Sequence, residues 1–339
     1  MPSHHAEILV EVTRGGMVES LHRGHIAVVD FNGKRIASAG NPDYYTFARS
    51  AAKLLQFVPL LESGGIERFD LTEEEIALCC ASHNGEPQHV EAALGLLHKL
   101  GLGEGDLDCG KQDPYYKPAA ERLSACGCSP SQLHNNCSGK HAGMLALARL
   151  LDAPTESYIA REHPVQRRML SAVADLCGVE ADSITLGTDG CGVPVFAVPV
   201  SALAYAYAGI GRPDRLAPER AEACRRITQA IRRHPFYVAG TDRFDTRLVE
   251  VTRGRIIGKM GAEGIFAASI PEEALGLALK IEDGAERASY PAAAEALRQL
   301  GLLSSSETQQ LQSFLTPPVL NRRGDRVGEL RPVFQLTRS

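Results

Sequence analysis

At 339 residues, the chain is long enough to bury a large core, and its 44% hydrophobic and 23% charged residues are typical of a globular protein. The formal net charge of -5 argues against nucleic acid or an anionic membrane as the main partner, and no apolar run approaches the roughly 20 residues of a membrane span. Nine cysteines and a polar start at residues 1–6, without an export signal, predict a cytoplasmic protein with reduced thiols.

The N-terminal part predicts an antiparallel meander. Residues 7–13, 25–31 and 34–39 have strand character, and Asn32-Gly33 is a strong hairpin turn. Helical periodicity follows, and Thr72 with Glu75 forms a capping-box start. The predicted helices cover residues 44–62, 72–80, 87–99, 140–151, 157–177 and 215–233.

Strand patterns return near the C-terminus. They cover residues 246–251, 255–260, 264–269 and 276–281, after two short apolar segments at 184–187 and 194–199 and before closing helices at 291–303 and 306–314. Strands at both ends with helices between them predict an α+β fold. We expect one catalytic unit over residues 1–339, with an antiparallel sheet from about 5–40 and 245–285 and a helical region over about 44–235.

Ser50 and Lys53 form a Ser-x-x-Lys pair in the predicted helix 44–62, so their side chains rise from one helical face. A serine becomes nucleophilic when a base takes its proton, and a lysine is such a base when burial and neighbouring positive charge lower its pKa. The composition makes one such pair about an even chance, so an incidental pair on a solvated face is the alternative.

Two further stretches fit the same chemistry. Ser82 and Asn84 follow a predicted helix and point into one cavity if the segment is extended; a helix cap and a turn residue are the alternative. Lys259 lies between glycines at a strand end, where a lysine can release a proton that arginine keeps; a surface lysine is the alternative. The order Ser-x-x-Lys, Ser-x-Asn, Lys-x-Gly resembles the motifs of serine β-lactamases and penicillin-binding proteins, and indicates acyl transfer by a serine.

Two glycine-containing turns carry Cys137 and Cys191, which are soft ligands suited to one zinc ion. The third ligand is Lys140 or His141, and the chemistry favours His141 because a lysine must lose its proton before it binds a metal. Two buried free cysteines are the alternative. Asp189, beside Cys191, can position a water or bind a substrate ammonium.

The stretches Asn135–Met144 and Thr188–Pro194, with residues 12–20 and the Lys259 stretch, resemble the Rhizobium-type (class 3) L-asparaginases. The resemblance runs from about residue 10 to 284. It implies a fold similar to serine β-lactamases and glutaminases, a homodimer, and two Ser-Lys tandems, Ser50 with Lys53 and Ser82 with Lys259. It also implies zinc bound by Cys137, Lys140 and Cys191, which replaces His141 in the ligand set.

The implied activity is hydrolysis of the side-chain amide of L-asparagine to L-aspartate and ammonia. Arg49, next to Ser50, is a candidate for the substrate carboxylate, with a surface salt bridge as the alternative. Asp189 is a candidate for the ammonium, and Asn84 and His141 are further substrate-binding candidates. We favour Ser50 as the nucleophile because Ser-x-x-Lys supplies its base at a fixed spacing.

Two other classes of protein stay open. One is a zinc-hydroxide amidohydrolase in which the serines take no part; the other is a penicillin-recognising protein, against which the missing export signal speaks. The zinc ion is expected to orient substrate or to be structural. The sequence does not separate asparagine from glutamine, because the two substrates differ by a single methylene.

Overall fold

The computed structural model describes residues 5–339, which form two compact units. The first unit contains the chain up to Ala51 together with residues 198–212 and 247–339, and the second contains residues 52–197 and 213–246. Within the described residues, no helix has the length and apolar character that a membrane crossing requires. The expectation of a single catalytic unit stays a prediction.

The secondary structure mixes strands and helices. The strands are β1 (Glu7–Arg14), β2 (Met17–Asp30), β3 (Arg35–Ala39), β4 (Tyr45–Phe47), β5 (Thr185–Thr188), β6 (Pro194–Pro199), β7 (Ile257–Gly261), β8 (Ile265–Ile270), β9 (Leu275–Ile281), β10 (Pro318–Leu320), β11 (Arg326–Pro332) and β12 (Thr337–Arg338). The helices are α1 (Lys53–Glu62), α2 (Gly65–Phe69), α3 (Glu73–Cys79), α4 (Pro87–Lys99), α5 (Lys117–Ala125), α6 (Ser138–Leu150), α7 (Pro164–Cys177), α8 (Val200–Gly211), α9 (Pro218–Arg233), α10 (Pro235–Val238), α11 (Phe244–Val251), α12 (Glu286–Gln299), α13 (Ser305–Gln310) and α14 (Gln312–Leu315).

An antiparallel sheet forms the first unit. Over residues 5–339 it has nine strands in the order β10-β11-β1-β2-β9-β8-β7, with β3 against β2 and β12 against β3. Helices α8 and α12 pack on this sheet. Gly276 of β9 lies so close to the Ala204 carbonyl of α8 that a side chain there would collide with it. The predicted α+β class, with a sheet contributed by both ends of the chain, is therefore confirmed.

Helices dominate the second unit. Helix α1 is buried from Lys53 to Leu61 and packs against α6, α7 and α9, while β5 and β6 form an antiparallel pair. The predicted capping box at the start of α3 is present, since the Thr72 side chain accepts the Glu75 amide and the Glu75 carboxylate accepts the Thr72 amide. Helix α4 has the predicted bounds.

The helix predicted over residues 44–62 begins only at Lys53. Residues 45–47 form β4, and residues 49–52 form a 3-10 turn. Arg49 has a φ of 46°, a left-handed value that a right-handed helix cannot contain, so the α-helix starts after it. Ser50 therefore lies in the 3-10 turn, and the prediction that it shares an α-helical face with Lys53 is wrong.

The strand predicted at residues 246–251 is also wrong, because this segment lies in α11. Phe244 and Leu248 of α11 are buried, as is Thr252 directly after it, and the three recur at the four-residue spacing of one helical face. Helices α5 and α8 are absent from the sequence prediction. The half-buried face of α8, which includes Ser201, Tyr205 and Gly209, carries no charged residue, so the sequence has little polar contrast from which a helical period could be recognised.

The cysteines divide into one bonded pair and seven free thiols. Cys126 and Cys128 form a disulfide across Gly127, so the expectation of reduced thiols is wrong for this pair. The free thiols are all buried. Among them are Cys137 and Cys191, the two predicted zinc ligands.

Candidate active site

The segment from Ser82 to Asn84 follows α3 and is held from two sides. The Ser82 amide donates to the Val238 carbonyl at 2.9 Å, and the His83 amide donates to the Asn136 carbonyl at 3.2 Å. All three side chains of the segment are buried. The backbone bonds fix the directions in which those side chains point.

Lys53 meets Ser82 inside the second unit. Its Nζ lies 3.1 Å from Ser82 Oγ and 3.2 Å from Cys137 Sγ, and it also donates to the Ala81 carbonyl. Lys53 is 1% exposed. A protonated lysine has three N–H donors, which these three acceptors can engage, whereas a neutral one can accept the serine proton. Lys53, a predicted base, therefore contacts Ser82, a predicted nucleophile. The tandems predicted from the sequence paired these two residues with other partners.

His83 and His89 fix the loop that follows Ser82. His83 Nδ1 accepts the Gly85 amide at 3.1 Å, and its Nε2 lies 2.9 Å from Ser138 Oγ. Burial, and then the charges of neighbouring residues, hold the pKa of His83 well below its ordinary value. The ring is therefore neutral with its proton on Nε2, and it stacks on His89 at 4.9 Å between ring centroids. Burial lowers the pKa of His89 as well. The sequence prediction gave neither histidine a role.

Asn84 connects the Ser82 segment to residues 240–243. Its Nδ2 donates to the Thr241 carbonyl at 2.9 Å, and its Oδ1 accepts from Arg243 Nη1 at 2.9 Å. The sequence prediction assigned no role to Arg243. Its signal in the sequence is weak, because a single arginine after a glycine-containing turn is most often a surface residue.

Cys137, Lys140 and Cys191 come together in one buried cluster, here called the thiol cluster. Lys140 Nζ donates to Cys191 Sγ at 2.9 Å. A hydrogen bond from Cys191, and then the charges of Lys140 and Lys53, hold the pKa of the Cys137 thiol well below its ordinary value, while the same bond raises the pKa of Cys191. Burial alone would lower the pKa of Lys140, but both thiols and Asp189 together raise it. These directions favour a deprotonated Cys137 beside a protonated Lys140.

The donors of the thiol cluster fit zinc. Two sulfurs and one amine converge, and thiolate sulfur is a preferred zinc ligand; the ammonium of Lys140 would release its proton on binding. Across residues 5–339, no three side chains of His, Cys, Asp or Glu are grouped so that they could hold a metal ion. Lys140 is the residue whose amine contacts Cys191.

His141 instead pairs with Tyr158. The Tyr158 hydroxyl accepts the Asp108 amide at 2.9 Å and lies 2.6 Å from His141 Nδ1. Burial, and then the charges of Lys140 and Lys53, hold the pKa of His141 well below its ordinary value. We assign the proton of the ring to Nε2, so that the Tyr158 hydroxyl donates to Nδ1. This buried nitrogen has no hydrogen-bond partner in the described chain.

Asp189 lies on the turn that presents Cys191. The Asp189 amide donates to the Val193 carbonyl at 2.8 Å, and the Gly192 amide donates to the Asp189 carbonyl at 2.9 Å. The Asp189 carboxylate helps to raise the pKa of Lys140, so its negative charge acts on the thiol cluster. The turn therefore fixes a carboxylate and a thiol together.

Ser50, Arg49 and Lys259 belong to the first unit. Lys259 lies on β7, is fully buried, and donates from Nζ to the Met260 carbonyl at 2.7 Å. A Cβ on Gly261 would lie 3.1 Å from the Ala51 amide, so the end of β7 approaches the turn that carries Ser50. Ser50 is 9% exposed. The pKa of Lys280 is lowered, mainly by burial, and the positive charge of Arg49 contributes in the same direction.

The predicted residues thus fall into two groups. The second unit brings Lys53 and Ser82 into contact with the thiol cluster and places Asp189 close to it, while the first unit holds Ser50, Arg49 and Lys259. A buried serine–lysine contact beside a thiolate is typical of a catalytic site, because such groups are costly to bury without a function.

The family model for L-asparaginase II matches residues 10–332, and the chain belongs to this family. The family indicated by the sequence motifs is therefore confirmed. No curated protein matches the chain.

Similar solved structures include Mglu in its native form, with 17% identity, a TM-score of 0.47 and coverage of 84% of this chain. The chain spans 63% of the length of that protein. A β-lactamase from Mycobacterium bovis shows 15% identity and a TM-score of 0.44, covering 83% of this chain and 95% of its own. Simvastatin synthase from Aspergillus terreus shows 12% identity and a TM-score of 0.42, covering 85% and 93%. Likenesses at this level carry no conclusion about chemistry.

Proposed function

We propose that this protein hydrolyses the side-chain amide of L-asparagine to L-aspartate and ammonia through a serine nucleophile activated by lysine. Membership of the L-asparaginase II family supports the substrate. The single observation that carries the serine chemistry is the buried contact of 3.1 Å between Lys53 Nζ and Ser82 Oγ, next to the thiol cluster. The homodimer and the cytoplasmic location stay predictions.

Ser50 is the proposed nucleophile and Lys53 its base, with Ser82 and Lys259 as the second tandem. Arg49, which immediately precedes Ser50, has a φ of 46°, and strained backbone of this kind is concentrated at functional sites. Ser50 is also more exposed than Ser82, at 9% against 2%, so it is easier for a substrate to reach. The Lys53 contact makes Ser82 the second candidate.

The reaction proceeds in two proton-coupled steps. The serine Oγ transfers its proton to a neutral lysine Nζ as it attacks the amide carbonyl, and the lysine returns that proton to the departing ammonia. Water then attacks the acyl-enzyme ester, loses its proton to the same lysine, and releases aspartate as the serine regains its proton. Backbone N–H groups near the nucleophile would stabilise the oxyanion, an effect worth roughly 3 kcal/mol for each donor.

The polar groups of asparagine have matching candidates. Asp189 supplies a carboxylate for the α-ammonium, and His141 supplies a buried N–H without a partner in the described chain, a group that a bound substrate would satisfy. Asn84 is a further hydrogen-bonding candidate. Arg49 is the candidate that the sequence offers for the α-carboxylate.

Zinc is proposed to bind Cys137, Lys140 and Cys191. When bound, it would tie the Asp189 turn to the start of α6 and could polarise a nearby ligand as a Lewis acid. The protein residues carry the reaction itself: Lys53 contacts both Ser82 and Cys137, so the position of the thiol cluster affects the position of the base. Asp189 and His141 orient the substrate.

The test is ammonia release from L-asparagine, with L-glutamine alongside, by the wild type and by Ser50→Ala and Ser82→Ala. We expect S50A to lose about 10⁴-fold or more in kcat and S82A about 10²-fold, because removing a nucleophile also removes the acyl-enzyme. Ser183→Ala, at an exposed serine, is the matched control and should keep wild-type rates. Turnover that neither active-site variant changes would refute the serine mechanism and favour hydrolysis by zinc-bound hydroxide.

A further inference from the structure

A largely buried polar network joins residues 84–86 to residues 240–243 and includes Arg243. The Glu86 carboxylate accepts the Thr241 amide and the Thr241 hydroxyl, both at 2.8 Å. Gly240 has a φ of 107°, and a Cβ there would lie 2.9 Å from Asn84 Nδ2, so no side chain fits against the network. These contacts hold the 240–243 turn in a fixed place beside Asn84.

The orientation of Asn84 is determined by this network. Its Nδ2 donates to the Thr241 carbonyl at 2.9 Å and to Glu86 at 3.4 Å, so its Oδ1 faces Arg243 and accepts from Nη1 at 2.9 Å. The guanidinium also lies over the Tyr115 ring, 5.9 Å from its centroid, within the range of a cation–π contact. Arg243 is thus held in place by a buried amide and an aromatic ring.

Asn84 connects Arg243 to the segment that carries Ser82. Asn84 is two positions beyond Ser82, and two residues of chain span at most about 7 Å. In L-asparagine only the Cα and Cβ carbons separate the α-carboxylate from the amide carbon that reacts. Lys53 is the proposed base and its Nζ contacts Ser82, so the reacting amide lies beside Ser82 whichever serine attacks, and the substrate can direct its carboxylate towards Arg243.

The charges around the segment also favour an anion. His83, between Ser82 and Asn84, has its pKa lowered first by burial and then by several cations, of which Lys53 and Arg243 are two. The negative charge of Glu86 is already engaged by Thr241 and Asn84. A planar guanidinium binds a carboxylate through paired N–H bonds, which gives both affinity and orientation.

We propose that Arg243 binds the α-carboxylate of the substrate and thereby restricts the enzyme to amides that carry this group, in place of Arg49. This inference rests on the proposed function, because it takes L-asparagine as the substrate. It differs from a purely structural role, in which Arg243 would only hold Asn84 in position. The two roles predict different responses to a substrate without a carboxylate.

The experiment measures kcat and KM for L-asparagine and for 3-aminopropanamide, which lacks the α-carboxylate, in the wild type, Arg243→Gln, Arg243→Lys and Arg49→Gln. We expect R243Q to lose about 10- to 100-fold in kcat/KM for L-asparagine, mainly through KM, because a charged hydrogen-bonded pair is lost. The rate for 3-aminopropanamide should stay within about twofold, since it never uses that pair. R243K should fall between, because an ammonium keeps the charge without the planar fork.

Arg247→Gln is the matched control, since Arg247 lies four residues further along the chain, on α11, has a side chain that is 40% exposed and pairs with Glu250 at 2.7 Å. It should behave as the wild type. Three results would overturn the proposal. R243Q could lose activity equally on both amides, or lose only kcat. Alternatively, R49Q and not R243Q could show the loss that depends on the substrate carboxylate. If the wild type does not turn over 3-aminopropanamide, the kinetics on L-asparagine test the proposal: a loss in R243Q that lies mainly in KM supports it, and a loss in kcat alone overturns it.

Calorimetric binding of L-asparagine separates this inference from the proposed function. A wild type that binds L-asparagine but releases no ammonia refutes the hydrolysis, and weaker binding by R243Q still supports the arginine. Hydrolysis by the wild type with unchanged binding and KM in R243Q overturns the arginine and keeps the hydrolysis. A wild type that neither binds nor hydrolyses L-asparagine overturns both.

Discussion

Two lysines of this protein are equally buried but differ in their surroundings. Lys53, at the start of α1 in the second unit, directs its Nζ to a hydroxyl and a thiol on two separate loops. Lys259, in the middle of β7 in the first unit, donates to the carbonyl of the next residue at 2.7 Å. Burial is the same, at 1% and 0% exposure, while Lys53 begins a helix and Lys259 lies inside a strand. The contacts of Lys53 with Ser82 and Cys137 support its role as a base.

Replacing the two lysines gives the largest expected effect. Lys53→Arg should lower kcat about 10³-fold or more, because a guanidinium does not release its proton and so cannot act as a base. Lys259→Arg should lower kcat less, by about 10²-fold, if Lys259 assists rather than initiates proton transfer. Single-turnover ammonia release measures both effects.

Lys34→Arg, at an exposed lysine, is the matched control for replacing a lysine with an arginine and should leave kcat unchanged. A Lys53→Arg variant with more than about a tenth of wild-type turnover would contradict the comparison, because an obligatory base would then be lacking. A reversed order of the two variants would identify Lys259 as the principal base.

Removal of zinc, whose proposed ligands all lie in the second unit, should lower activity less than replacing Lys53 does. Dialysis against a chelator should raise KM for L-asparagine about 10- to 100-fold and leave kcat within about tenfold, because the metal is proposed to orient substrate and not to attack it. Metal content by elemental analysis and rates before and after zinc is restored measure this. Complete loss of kcat, with both serine variants still active, would show that a metal-bound hydroxide does the chemistry.

The pH dependence of stability gives the smallest expected effect. His83 and His89 have lowered pKa values in the folded protein, whereas an unfolded histidine titrates near about 6.5. Below that pH the unfolded chain binds protons that the folded chain excludes, so stability falls as the pH decreases, by up to about 1.4 kcal/mol per pH unit for each histidine. Urea unfolding at pH 7.5 and 5.5 should show a smaller difference for His83→Asn than for the wild type. An identical difference would show that His83 does not exclude protons.

Local patterns in the sequence were sufficient for much of the fold. The Thr72 capping box, the bounds of α4 and the strands at both ends follow from hydrogen bonding and periodicity over a few residues. The same rules failed at α11, where Leu248, Val249 and Val251 have the pattern of a strand, and at α8, whose half-buried face carries no charged residue. The start of α1 was also predicted wrongly, because nothing in the identity of Arg49 indicates that its φ is left-handed.

For the candidate site, the sequence by itself determined which residues carry usable chemistry: the serines, the lysines and the cysteines on glycine-containing turns. Only the tertiary structure decided which of them meet. The contact of Lys53 with Ser82 joins residues 29 positions apart, and that of Arg243 with Asn84 joins residues 159 apart. Such contacts depend on how helices and loops pack, and packing is a property of the whole core that no short pattern of residues encodes.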